Sequence, residues 1–189
     1  MAILITGLLV FFVPHFYSAF RSRAPGNDIK TRLGEGPYMG LYSIVSAVGF
    51  GLIIYGYIQA PPTGNLYIGP EWARPTAITL MLIAFILLIA AYVPNTYIKK
   101  LVKHPMLCAV ILWSGAHLLI GANQQKALLF GSFLVFSLID FVAVSMRGEE
   151  ASGPASVTND LIAISIGGGV YAGILVWAHE AIIGVAPII

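Results

Sequence analysis

KHPMLCAVILWSGAHLL, residues 103–119, is an apolar run with a histidine at each end: His104 beside Pro105 at the start, His117 near the finish. Extended to residue 122, it reaches the length that crosses a hydrocarbon core of about 30 Å. Apolar side chains dictate a lipid surrounding, and an imidazole at that depth needs a hydrogen-bonding partner or a function.

The composition agrees with that solvent. Hydrophobic residues make up 58% of the 189 and charged residues 10%, against about 25% charged in an ordinary soluble domain. The formal charge of +2 is small and the basic residues are divided among short loops, which excludes a nucleic-acid groove. Cys108 is the single cysteine, so an internal disulfide and a cysteine-based zinc site are excluded, and it reads as a packing residue.

Windows of about 20 apolar residues mark spans. They fall at 2–20, 38–60, 75–93, 105–122, 126–145 and 160–185. The expectation is an all-α integral membrane protein, a bundle of about six transmembrane helices forming one domain over residues 1–189, with no room for a soluble domain. The first span reads as retained rather than cleaved: no basic residue precedes it, Pro14 and His15 interrupt it, and no small-x-small site follows.

Alternation through six spans puts Arg21, Arg23, Lys30, Arg32, Lys99, Lys100, Lys103 and Arg147 on one side, with Arg74 and Lys126 on the other. Positive loops stay cytoplasmic. Both termini are therefore expected to be periplasmic, in a bacterial inner (cytoplasmic) membrane.

Local signals set the boundaries. Pro61-Pro62 ends the second span, and Pro75 and Pro105 suit first helical turns, where the missing amide donor has no partner to lose. Thr158 or Asn159 is the expected cap of the last span. Tyr67, Trp72, Tyr97 and Trp177 lie near span ends, as an interfacial aromatic belt requires. Gly169 and Gly173 form a G-x-x-x-G, the spacing that permits close helix approach.

The ionisable residues inside the spans are the functional candidates. At about 1.5 Å per residue, His15 and His117 lie about 6 Å to opposite sides of their span centres, a depth difference of about 12 Å. That separation permits a bis-histidine metalloporphyrin and equally permits two imidazoles bonded to neighbouring helices. His104 reads as a helix cap at the surface, and His179 beside Glu180 as a structural residue near the outer end. Asp140 is costly at its depth unless paired; it would orient an imidazole or pair with Arg21 or Arg23. Those arginines stand past His15 where they would either set topology or hold cofactor carboxylates. No H-E-x-x-H, G-x-S-x-G or phosphate-binding glycine loop is present.

VPHFYSAFRSR, RLGEGPYMGLYSIVSAVG, LMLIAFILLIAAYVP and KHPMLCAVILWSGAHLL together resemble the NnrU family of membrane proteins, whose plant relative is 15-cis-ζ-carotene isomerase. The resemblance covers about residues 8–145, and its most specific part is the H-P-x(7)-W-x(3)-H of His104, Pro105, Trp113 and His117. It implies a haem b protein with His15 and His117 as axial ligands; Trp113 belongs to the shared motif and is a candidate cofactor contact, and Arg21 and Arg23, by their position past His15, are the candidates to hold the cofactor's propionates. Where the isomerase carries an alternative cysteine ligand three residues before the closing histidine, this chain has Ser114, a poor substitute for a thiolate.

The function implied is a haem b protein of nitric oxide and nitrite metabolism in denitrification, acting by redox chemistry, gas binding or assistance to a respiratory membrane partner. A haem-dependent carotenoid isomerase is the alternative. The Lys103-His104-Pro105 element also suits an isoprenylcysteine-methyltransferase-like enzyme, although the apolar last span lacks that enzyme's polar cofactor-binding tail. A packing subunit of a membrane complex is the non-catalytic reading.

Overall fold

The computed structural model describes residues 1–22, 27–61, 63–148 and 153–187; Arg23 and Pro62 lie outside them. Its long helices follow the expected spans: α1 (Ala2–Phe20), α3 (Glu35–Ile58), α4 (Ala73–Tyr92), α6 (Pro105–Leu119), α7 (Gln124–Met146) and α8 (Val157–Gly173). Short helices α2 (Ile29–Leu33) and α5 (Tyr97–Val102) turn the chain at one end. At the other end strands β1 (Asn65–Ile68) and β2 (Gly121–Asn123) pair antiparallel, a ribbon absent from the sequence reading.

Five of these helices are long and apolar enough to cross a membrane, counting α8 with its continuation to Ile183. The sixth, α6, has 15 residues and is about 22 Å long. It stops where Gly121 adopts φ +126, a conformation that only glycine takes without strain. The chain nevertheless traverses the bundle there, because α6 starts after α5 at one end and finishes at the ribbon at the other. The last span is also interrupted: a π-helical turn, Ile174–Ala178, separates α8 from α9 (His179–Ile183), and Gly184 closes α9 in the left-handed region at φ 77.

α1 packs on α3 and α7, α7 on α6, α6 on α4, and α4 on α8. Small residues set the closest crossings. A Cβ on Gly49 would stand 2.6 Å from the Phe11 backbone nitrogen, and one on Gly7 2.6 Å from that of Ile53, so α1 and α3 meet backbone to backbone. Gly167 plays that part between α8 and α4, where a Cβ would stand 2.7 Å from Ile86 Cα. Gly169 and Gly173, the expected pair, have open space at their Cβ positions. The motif spacing was present, but the packed face is the one marked by Ala163, Gly167 and Tyr171.

Both ends are tied by specific polar contacts. At the α2/α5 end, Asp28 and Thr31 form a reciprocal cap on α2, and Arg21 bonds the Asp28 carboxylate. Thr96 caps α5 through a 2.9 Å bond from the Lys99 amide, and Asp160 accepts the amides of Tyr97 and Ile98 at 3.0 Å each. Asp160 thus anchors the start of the last span. The expected caps do not serve there: Ser156 occupies the cap position, Thr158 lies inside the helix, and Asn159 donates to the Pro94 carbonyl at 2.8 Å.

At the ribbon end Asn123 caps α7 through the Lys126 amide at 2.9 Å, while buried Gln125 accepts from Thr63 at 2.6 Å and donates to the Pro61 carbonyl. Tyr67, Trp72, Tyr97 and Trp177 are all exposed, as belt residues must be. Both chain ends lie on the ribbon side, with Leu4 against Gly56 and Ala186 bonded to Arg74.

Candidate functional site

His117 sits in the last turn of α6, with its ring stacked on Phe130 at 4.3 Å and tilted against Trp113 at 5.4 Å. Its Nδ1 lies 2.7 Å from the Trp113 carbonyl oxygen. A carbonyl only accepts, so Nδ1 carries the proton and Nε2 keeps its lone pair. This tether to backbone is how metal-ligating imidazoles are usually oriented.

His117 also lines a cavity of about 160 Å³ between α4, α6, α7 and the C-terminal segment. The cavity walls are mostly apolar, with Ile78, Met81, Phe85 and Leu175 among them. Its polar groups are His117, His179, Arg74, Lys126 and Tyr171, and the Tyr171 hydroxyl is bonded to the Ile78 carbonyl at 2.8 Å. One wall is the tail Val185–Pro187, held by His179 Nδ1 on the Val185 carbonyl at 2.7 Å and by Arg74 on the Ala186 carbonyl at 3.4 Å.

His15 occupies a different setting. It follows Pro14 within α1, where the helix continues past the proline, and its Nδ1 is 2.5 Å from the Phe11 carbonyl. Its ring stacks on Phe11 at 4.1 Å and contacts Tyr42 and the edge of Phe136. It therefore shares the tautomer of His117. The two imidazoles are joined through a series of rings, Phe11 to Phe133 at 5.4 Å and Phe133 to Trp113 at 5.4 Å. Helix α7, which contributes Phe133, packs between α1 and α6, so the structure does not bring His15 to the cavity that His117 lines.

The remaining expected site residues separate by end. Arg21 is paired with Asp28 at the α2 end, away from the His117 cavity. The bond from the Thr31 amide, with Arg21 beside it, holds the Asp28 carboxyl below the usual carboxylate range. Asp140 has Arg147 3.9 Å away, and Arg147 also donates to the Ala19 carbonyl at 2.6 Å, tying α7 to α1; the expected pairing with Arg23 falls outside the described residues. Trp113 stacks edge-on to Phe130 and Phe133. His104 stands at the mouth of α6 against the edge of Phe141. Ser114 is fully buried and donates to the Val110 carbonyl at 2.6 Å.

Of the expected site residues only His117 lines this cavity, with Trp113 beside it on α6, while Arg74, Lys126 and His179 line it without having been singled out for the site. Arg74 and Lys126 were visible only as the minority charges of the outer side. Among the described residues no cluster of three or more histidine, cysteine, aspartate or glutamate side chains is arranged to hold a bare metal ion. What the cavity offers instead is imidazole nitrogen, two cations and an apolar wall.

Searches of curated proteins and of solved structures found no match to this chain. Over residues 3–187 it matches the family model described as NnrU protein, and the chain belongs to the NnrU family.

Proposed function

We propose that this NnrU protein is a haem b membrane protein serving nitric oxide or nitrite metabolism, with His117 as an axial ligand. The observation that carries the reading is the tethered His117 ring on a cavity whose other polar groups are mainly cationic or imidazole. The donor chemistry fits a haem: imidazole nitrogen for iron, and Arg74 and Lys126 for the two propionates by charge-assisted hydrogen bonds. The space fits only in part. About 160 Å³ is below the roughly 300–1,000 Å³ of sites for sizeable ligands, so the tail Val185–Pro187 must leave for a macrocycle to enter.

When bound, haem iron supplies a site for a diatomic ligand or for one electron. The protein supplies the rest. The Trp113 carbonyl keeps the proton on His117 Nδ1, Phe130 fixes the ring plane, and Ile78, Met81 and Phe85 exclude water. The resemblance to the isomerase implies His15 as the second ligand, and Arg21 and Arg23 follow it in sequence. The charge distribution supports an inner-membrane orientation with both termini outside the cytoplasm, where a respiratory partner would meet the ribbon end.

An oxidised-minus-reduced absorption spectrum of the detergent-purified chain, expressed with added haem, tests the reading. A b-type spectrum lost in His117→Ala supports it; a colourless protein overturns it. Co-expression with a pathway producing 15-cis-ζ-carotene separates the isomerase alternative, which requires isomerised product. Burial of Ser114 in a bond to its own helix gives that alternative no switchable sulfur ligand at this position.

A further inference from the structure

Three cations at the α2/α5 end have a carboxylate beside them: Arg21 has Asp28, Lys30 has Glu35 at 2.7 Å, and Arg147 has Asp140 at 3.9 Å. Among the described residues, Lys99 and Lys100 on α5 form no ion pair. We propose that the outer face of α5, with the turn that follows it, binds the headgroup of an anionic phospholipid.

Tyr97, Lys100 and Leu101, at i, i+3 and i+4, share one face of α5. That face is the open one, with Tyr97 53% and Leu101 84% exposed, while Ile98, Lys99 and Val102 are half-buried. α5 connects the end of α4 at Tyr92 to the start of α6 at Pro105, so it lies where the crossings meet the headgroups. There Leu101 enters the acyl region while the lysine ammonium groups stay level with the phosphates. Tyr97, Lys100 and Leu101 form a shallow groove with Ile98 and Asp160. The Asp160 carboxylate accepts the amides of Tyr97 and Ile98, so its charge is directed at the α5 backbone rather than at a lysine. Those bonds and the Thr96 cap fix α5 in place, and the face is formed before a lipid arrives.

Lys103 supplies a second, independent observation. It sits at φ 61 and ψ −53, with the His104 amide bonded to the Val102 carbonyl at 2.7 Å. This is the γ-turn of positive φ, the rare and strained form. Glycine would take it more cheaply, and strain of this kind is characteristic of positions held for function. The turn brings a third lysine, an exposed one, to the corner between α5 and α6.

The test is native mass spectrometry of the full chain in detergent micelles offered equal amounts of phosphatidylglycerol and phosphatidylcholine. Wild type is expected to retain phosphatidylglycerol preferentially. Lys100→Gln and Lys103→Gly are each expected to cut that preference about fivefold, the equivalent of about 1 kcal/mol per lysine at an anionic surface. Lys103→Gly should do so with a thermal midpoint at or above that of wild type, because glycine relieves the turn. Lys30→Gln, whose charge Glu35 already matches, should keep the preference within about twofold. Excess inorganic phosphate should not displace the lipid, since it has nothing to place against Tyr97 and Leu101. Equal retention of the two lipids by wild type would overturn the assignment. So would a preference that survives in the folded triple variant Lys99→Gln, Lys100→Gln, Lys103→Gln, or displacement by phosphate alone, which would make the patch a simple anion site. Size-exclusion elution at the wild-type volume shows that each variant is folded, and none of these outcomes depends on haem.

Discussion

Gly167→Ala should be among the most damaging single methyl additions in the last span. The added Cβ would stand 2.7 Å from Ile86 Cα and 3.0 Å from both the Ile86 nitrogen and the Phe85 carbonyl oxygen. All three are backbone atoms of α4, which no rotamer change can move. Ordinary contact begins at 3.4 Å, so α8 must retreat from α4 by at least 0.7 Å. Overpacking of that kind costs about 1–3 kcal/mol, and here it also strains the 2.8 Å Tyr171 to Ile78 bond.

The neighbours are built-in controls: Gly168→Ala and Gly169→Ala meet nothing within 4 Å and should fall within about 1 kcal/mol of wild type, on the stabilising side, because alanine is the better helix former. The assay is reversible unfolding of the three variants in mixed micelles, followed by tryptophan fluorescence. Equal stabilities for Gly167→Ala and Gly169→Ala, or a larger loss at Gly169, would refute the packing of α8 on α4 and with it the position of His179.

Deleting the chain from Val185 onward removes one cavity wall and the two hydrogen bonds that hold it, so the apoprotein should take up added haem faster than the full chain in stopped-flow absorption; a slower rate would show that the tail forms the site rather than obstructing it. Tyr171→Phe removes one interhelical bond and should cost about 0.6 kcal/mol, measured in the same unfolding assay; no loss would mean the hydroxyl finds an equal partner elsewhere. For Asp28 the folded carboxyl is held below its ordinary 3.8, so its contribution is complete above that value and is lost as pH falls through the lower, folded one. Thermal midpoints measured down the acid limb should therefore drop less steeply in Asp28→Asn, and identical slopes would contradict the cap.

The solvent and the crossings were legible because they are sums over many residues. No single position decides whether PTAITLMLIAFILLIAAYV at 75–93 spans a membrane, and α4 occupies Ala73–Tyr92 accordingly. Local caps with fixed chemistry were partly legible too: Pro105 opens α6 as its missing donor allows. Side-chain partners were not. Asp140 was expected to orient an imidazole or to pair with Arg21 or Arg23, and the packing of α7 on α1 also sets Arg147, which that expectation did not name, 3.9 Å from it.

Sequence by itself therefore determined the lipid solvent, the helical class, the order of crossings and the separation of charge between the two ends. Tertiary structure alone decided which helix faces meet and which histidine shares a cavity with His117. The physical reason is that lipid and protein interior are equally apolar, so a transmembrane helix has no polar face to betray its packed side. Phase is the second reason. One π turn rotates everything after it by about 100°, so His179, which reads as a residue at the rim, comes to face the cavity instead.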